Sequence, residues 1–323
     1  MMKYRNLGMY GLKVSEFALG SWMTDVSDVE QQQIAAETIE LAYSQGVNFF
    51  DCADVYKKGA AERFLGNVLK KYPREDLVLS SKVYFPTGTG PNHRGLSRKH
   101  IFESIDQSLT NMQVDYLDLY FCHRFDQTTP LVETLQALSD LVDQGKILYI
   151  GVSEWTPVQL LEAQLIIQEK GLHPITVVQP QYHLFDRYIE HELMDVCERH
   201  GIGIVPFSPL AQGLLTGKYR QNQQIPAGSR ATYQSQIKAL LTEQNLAKVE
   251  VLIEMANQLG TDLASFSLAW ALRKSAISSL ITGASRPEQL ENNLRALEIE
   301  IPETYLEQID ELFEFEKFNR QIG

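Results

Sequence analysis

Four side chains of complementary chemistry fall at or just past short apolar runs. Asp51 closes Val47-Asn48-Phe49-Phe50-Asp51, and Tyr56 follows it in Cys52-Ala53-Asp54-Val55-Tyr56. Lys82 ends Leu77-Val78-Leu79-Ser80-Ser81-Lys82, and His123 ends Leu117-Asp118-Leu119-Tyr120-Phe121-Cys122-His123. Each has an ordinary reading alone: a cap or ion pair for Asp51, packing for Tyr56, a satisfied core imidazole for His123. A lysine at the end of a buried strand needs a partner. Together they suit proton transfer to a carbonyl oxygen. A free tyrosine titrates near about 10 and is a poor acid at neutral pH. A neighbouring ammonium lowers that value, and Lys82 would supply it. Asp51 would hold Lys82 protonated, and His123 would orient the carbonyl. No side chain donates hydride, so a reduction needs a nicotinamide cofactor.

These residues converge only if the apolar runs are neighbouring parallel strands. The chain reads that way. A hairpin is expected over residues 4–16, around Gly8 and Gly11. Strands follow at residues 17–19, 49–51, 77–82, 117–123, 147–152, 175–179, 202–207 and 279–282. Helices are expected at 29–45, 61–70, from 97, at 131–144, from 157, at 189–200, 243–259 and 262–274, from 287 and at 302–313. Pro157 suits a first helical turn. Eight strands alternating with helices predict an α/β fold, a (β/α)8 TIM barrel with an N-terminal β-hairpin, a long loop after strand seven and a C-terminal helix. No linker or low-complexity stretch divides it, so residues 1–323 are expected to form one domain. The irregular stretch 208–241 is too long for an ordinary connection and is a candidate binding loop.

Composition bounds the partners. The chain carries a formal charge of −12, which disfavours nucleic acid and anionic membranes. No apolar run approaches a membrane span and no signal peptide is visible, so a cytoplasmic location is expected. Cys52, Cys122 and Cys197 lie far apart in no metal spacing, and neither they nor the histidines predict a metal. Gly88, Gly90 and Gly95 do not form a dinucleotide fingerprint and read as a mobile loop.

Several segments, in order over essentially the whole chain, carry a resemblance. They are Phe50-Asp51-Cys52-Ala53-Asp54-Val55-Tyr56, Ser80-Ser81-Lys82, Asp115-Tyr116-Leu117-Asp118-Leu119-Tyr120 and Cys122-His123-Arg124-Phe125-Asp126. They continue with Gly145-Lys146-Ile147, Gly151-Val152-Ser153, Phe207-Ser208-Pro209-Leu210 and Gly283-Ala284-Ser285. The chain closely resembles the aldo-keto reductase superfamily, above all the voltage-gated potassium channel β-subunit-type branch and its bacterial relatives. The resemblance implies a (β/α)8 barrel that reduces aldehydes or ketones with NADPH, returning NADP+. It assigns Asp51, Tyr56, Lys82 and His123 as a catalytic tetrad, with Tyr56 as general acid. His123 stands where channel β-subunits carry Asn, which points to a working enzyme.

The resemblance also implies cofactor contacts, residue by residue. Asp51 borders the cofactor, and Ser153 and Gln179 match the residues that bind the nicotinamide carboxamide. Phe207 falls where an aromatic ring stacks on the nicotinamide. Ser208, Pro209, Leu210, Ala211 and Gly213 match the loop under the pyrophosphate. Gly283, Ser285, Gln289, Asn292 and Asn293 match the adenosine end, and Ser21 and Trp22 a loop beside the cofactor. Most members have Asn after the Ser of strand five and the channel branch has Arg; here Glu154 replaces both. More typical reductases place a Lys and an Arg at Gly283 and Gln289, so a 2′-phosphate would fall to the long loop. There Lys218 and Arg230 match basic positions of the channel-type branch, with Ser285 and Arg286 nearby; the plain alternative is solvated surface charge. Trp22, Tyr84, Phe85 and Trp155 are candidates for an aromatic pocket that prefers uncharged aldehydes. A small-molecule carbonyl is the expected partner, and a homo-oligomer is the assembly the relatives suggest. Two rivals remain: a regulatory NADPH-binding subunit, and a cofactor-free barrel enzyme.

Overall fold

The computed structural model describes residues 2–24 and 26–317. Strands β1 (Tyr4–Asn6) and β2 (Lys13–Ser15) form the expected antiparallel hairpin. Eight parallel strands follow: β3 (Phe17–Gly20), β4 (Phe49–Asp51), β5 (Val78–Val83), β6 (Leu117–Cys122), β7 (Ile147–Ser153), β8 (Ile175–Gln179), β9 (Gly203–Ile204) and β10 (Leu280–Thr282). They pair in sequence order, and β10 pairs with β3. A parallel bridge between Ile204 and Ile277, with Ser278 N–H donating to the Ile204 carbonyl at 2.8 Å, closes the (β/α)8 barrel.

Helices α1 (Val29–Ser44), α2 (Ala60–Leu69), α3 (Arg98–Met112), α4 (Leu131–Asp143), α5 (Pro157–Lys170) and α6 (Leu193–His200) return the chain between strands. Then α7 (Ser235–Leu240), α8 (Glu243–Gln258) and α9 (Leu263–Leu272) precede β10, and α10 (Pro287–Leu294) and α11 (Glu303–Leu312) follow it. Local chemistry sets their starts. Asp28, Ser97 and Asp262 each accept a backbone N–H at the head of a helix, and Thr156 with Gln159 forms a capping box ahead of Pro157.

Two elements differ from expectation. The seventh strand pairs only over Gly203–Ile204, with Phe207 in an isolated bridge to Gln181. Pro206 has no N–H to continue a ladder. The helix expected over 189–200 divides into a 3-10 turn, Tyr188–Glu190, and α6. Glu190 turns its carboxylate inward to Arg187 Nε and the Tyr182 hydroxyl, both at 2.8 Å, which fixes the turn before α6 begins.

The strand period of two sorts the side chains. Phe49, Val78, Leu119, Phe121, Val177, Val205 and Ile281 fill the barrel interior. Their alternates Phe50, Leu79, Tyr120, Cys122 and Val178 pack outward beneath the helices. Leu7, at the tip of the hairpin and fully buried, joins the interior cluster and closes one end. Gly8 permits that approach. Its φ is +59°, and a Cβ there would sit 2.3 Å from the Gly201 carbonyl oxygen. The other end, at the strands' C-termini, carries the polar residues.

Candidate active site

Inward alternation carries Phe49 to Asp51 on β4, Val78 to Ser80 and Lys82 on β5, Phe121 to His123 beyond β6, and Val177 to Gln179 on β8. Asp51 faces Ser80 in register, and Lys82 faces Phe121. Lys82 is completely buried, with its Nζ 2.5 Å from Asp51 Oδ2 and 2.7 Å from the Cys52 carbonyl oxygen. Asp51 Oδ1 accepts from Ser80 Oγ at 2.7 Å and from Gln179 Nε2 at 3.1 Å, across 128 positions of sequence. Burial would strip the proton from Lys82, but the Asp51 carboxylate and Tyr56 outweigh it and hold the ammonium above its usual range.

Tyr56 enters on the turn after β4, with Lys82 Nζ 5.2 Å from its ring centre. The ring of His123 meets it edge-on at 5.8 Å and that of Trp22 at 5.1 Å. The structure corrects the expected direction of its titration. Burial raises the phenol above its ordinary value and outweighs the opposing pull of Lys82. Tyr56 therefore keeps its proton at neutral pH, as a proton donor must. His123 is buried, with Nδ1 unpartnered among the described residues. Burial, then the charges of Lys82 and Arg124, push its pKa down to about 2, so the imidazole is neutral.

The other sequence-chosen residues divide. Ser153 Oγ donates to the Gln179 carbonyl at 2.8 Å, beside the tetrad, while the Gln179 amide is committed to Asp51. Glu154, at φ +58°, turns its carboxylate to the Gln181 N–H at 2.6 Å and to the Tyr188 hydroxyl. Phe207 lies against the barrel interior. Beyond it, Ser208, Ala211, Gln212 and Gly213 all have positive φ, making a tight turn with Pro209 and Leu210. Lys218 folds back over this turn, so that a Cβ on Gly213 would lie 3.2 Å from its Nζ. Arg230 is half-buried, and burial lowers its pKa; among the described residues no carboxylate pairs with it. Gln212 Oε1 and Ser229 Oγ in the same loop are buried without partners among the described residues.

Ser21 is buried beside the exposed Trp22, and Gly283 packs against Met23 at the end of β10. Ser285 donates through N–H and Oγ to Gln289 Oε1, at 3.0 and 3.1 Å. Asn293 is buried, and the Asn292 amide donates to Asp262 Oδ1 at 3.2 Å, linking α10 to the head of α9. Arg286 is exposed, close to Glu288. Trp155 does not line the site: it is buried against Phe125, because the turn at Glu154 points it inward. The glycine-rich segment is tied at its end, with Gly95 N–H donating to the Tyr84 carbonyl and Leu96 N–H to Asp126 in the loop after β6.

Sequence reasoning passed over two acids behind the site. Asp54 is buried with both carboxyl oxygens unpartnered among the described residues. Burial and the nearby Glu62 raise its pKa to about 8. Glu62 is itself satisfied by Ser81 Oγ at 2.6 Å and Asn111 Nδ2 at 2.7 Å. An acid three residues past a buried strand's end was the available signal.

The assembly can hold a charged lysine against a protonated tyrosine and a neutral imidazole, at the mouth of a barrel bordered by a cationic loop. Comparison with known proteins gives the family. The sequence model described as the Aldo/keto reductase family matches residues 16–314. A probable voltage-gated potassium channel subunit beta of Oryza sativa subsp. japonica is 38% identical over 317 residues, covering 96% of this chain and 95% of the relative. A protein of the same description from Arabidopsis thaliana is 39% identical over 304 residues, covering 92% of each.

Proposed function

The chain belongs to the aldo/keto reductase family, and we propose that it reduces aldehydes or ketones to alcohols with NADPH. The observation that carries this reading is the buried Lys82–Asp51 pair beside a protonated Tyr56 and a neutral His123. When bound, the reduced nicotinamide supplies the hydride that no side chain can. The residues of this chain do the rest. A substrate oxygen between the Tyr56 hydroxyl and His123 accepts a hydrogen bond from each. Tyr56 gives its proton to that oxygen as negative charge develops there. Lys82 stabilises the phenolate left behind, and Asp51 keeps Lys82 charged and aimed. Closing the other end with Leu7 keeps water from reaching the tetrad from below.

The residues present fit the cofactor. The tight turn from Ser208 to Gly213, with positive φ at four of its residues and the Lys218 ammonium drawn over it, is a cationic turn of the kind that receives phosphates. Arg230, half-buried and without a carboxylate partner among the described residues, suits the 2′-phosphate that distinguishes NADPH from NADH. Ser285 and Gln289 at the head of α10 border the adenosine end. A second reading, a subunit that binds NADPH as a sensor, is favoured by the description of both plant relatives. Steady-state NADPH oxidation with a panel of aldehydes separates the two. The reductase reading expects turnover that Tyr56→Phe abolishes while NADPH affinity stays within about twofold. Activity within about tenfold of wild type in Tyr56→Phe, roughly 1.4 kcal/mol of barrier, removes Tyr56 from the role. NADPH binding with no turnover of any carbonyl leaves the sensor.

A further inference from the structure

We propose that the Arg124 guanidinium is the anion anchor of the substrate pocket, so that the carbonyl compounds this protein prefers carry a carboxylate or phosphate group. The inference rests on the reductase reading and adds the substrate class to it. Arg124 directly follows His123 at the end of β6, and three elements place it over the site. Its Nη1 donates to the His123 carbonyl oxygen at 2.5 Å and to Ser153 Oγ, at the end of β7, at 3.4 Å. Its guanidinium lies 5.6 Å from the ring centre of Phe85, in the loop after β5. Phe85 in turn meets the His123 ring edge-on at 4.8 Å. The cation is thus fixed on a flat aromatic support immediately beside the imidazole that receives the carbonyl.

Its donors are not used up. A guanidinium has five N–H groups, and among the described residues only those on Nη1 find acceptors. No carboxylate among the described residues forms an ion pair with it. Glu154, on the neighbouring strand end, would be the natural partner. It is held instead by the Gln181 N–H and by the Tyr188 hydroxyl, which lies close enough to Arg124 to feel its charge as well. A half-buried guanidinium with a free edge is built for a bidentate oxyanion. That anion is not supplied by the cofactor. The reduced nicotinamide is uncharged, and on the reading above the phosphates fall to Lys218 and Arg230 in the loop after β9. The aromatic lining expected to favour uncharged aldehydes is smaller than the sequence suggested, because Trp155 is buried.

The test uses matched pairs: benzaldehyde against 4-carboxybenzaldehyde, and glyceraldehyde against glyceraldehyde 3-phosphate, each with saturating NADPH. Wild type should show at least about a tenfold higher kcat/KM for the charged member of one pair, carried by KM. The pair that shows it identifies the oxyanion. Arg124→Met should erase the ratio, and Arg124→Lys should keep part of it. Ratios at or below one in both pairs, or a ratio unmoved by Arg124→Met, overturn the proposal. Calorimetric titration with benzoate reads the anchor without turnover. Wild type should bind it, and Arg124→Met should bind it at least about tenfold more weakly. Benzoate binding that depends on Arg124 in a protein that reduces no carbonyl would sink the reductase reading and leave the anchor. Absence of benzoate binding in wild type sinks the anchor even if Arg124→Met fails to fold.

Discussion

Arg230→Ala offers a test with two opposed outcomes. In the cofactor-free protein Arg230 holds a charge in a half-buried place where burial lowers its pKa and, among the described residues, no carboxylate offsets the cost. Removing it should leave thermal stability unchanged or slightly higher. If the guanidinium receives the 2′-phosphate, the loss on binding is that of a charged hydrogen-bonded contact, about 1.5–3 kcal/mol. That corresponds to roughly 10- to 150-fold in Kd. The assay is fluorescence titration with NADPH and NADH side by side, with melting curves at zero and saturating cofactor. NADPH should weaken by that factor while NADH changes by less than about twofold. The Tm increment produced by NADPH should shrink accordingly, since ligand stabilisation follows the ratio of concentration to Kd. Equal weakening of both cofactors would place Arg230 against their shared part, or make its role structural. Unchanged NADPH binding would refute the assignment, as would equal catalytic efficiency of wild type with both cofactors.

Lys82→Met should be nearly inactive and destabilised by about 3–5 kcal/mol, because Asp51 is left charged, buried and unpaired. Asp51→Asn should be milder, since an amide oxygen can still accept from Ser80 and Gln179; adding it to Lys82→Met should restore urea stability without activity, and a double variant as unstable as the single would contradict this. Asp54 gives a pH signature. Its folded pKa of about 8 lies above the ordinary 3.8, so folding favours the protonated form. Stability from this group is full below about pH 4 and is lost as pH rises through 8, with a slope of up to about 1.4 kcal/mol per pH unit. Asp54→Asn should flatten the urea midpoint between pH 5 and 8; an unaltered slope would show that Asp54 is ionised in the fold.

Much of the site was legible because strand alternation is legible. A run such as Val78 to Lys82 fixes which side chains face inward, so Asp51, Lys82 and His123 could be placed together before any contact was known. What escaped depended on the third dimension. Gln179 reaches Asp51 across the barrel, which no local pattern encodes. The direction of the Tyr56 titration depended on whether burial or Lys82 prevails, a balance invisible in a list of residues. Trp155 read as pocket lining because its loop position was clear and its inward turn after Glu154 was not. Arg124 lay within a recognised segment, yet that its other donors find no acceptor among the described residues shows only once Glu154 is seen bound elsewhere. The shortened seventh strand was foreshadowed by Pro206.

The way the barrel closes has a consequence for its synthesis. Strand β3 hydrogen-bonds to β10, and Arg5 donates to the carbonyls of Leu272, Lys274 and Ile277. Gly8 N–H likewise donates to Ser278 Oγ. Residues 5–19 pair early with one another and with β4, but leave the ribosome long before these C-terminal partners exist. Contacts of such sequence separation make folding slow. Until Thr282 has emerged the cylinder stays open and water can reach Lys82 and Asp51. The barrel around that pair is complete only when the last strand docks against the first, late in the growth of the chain.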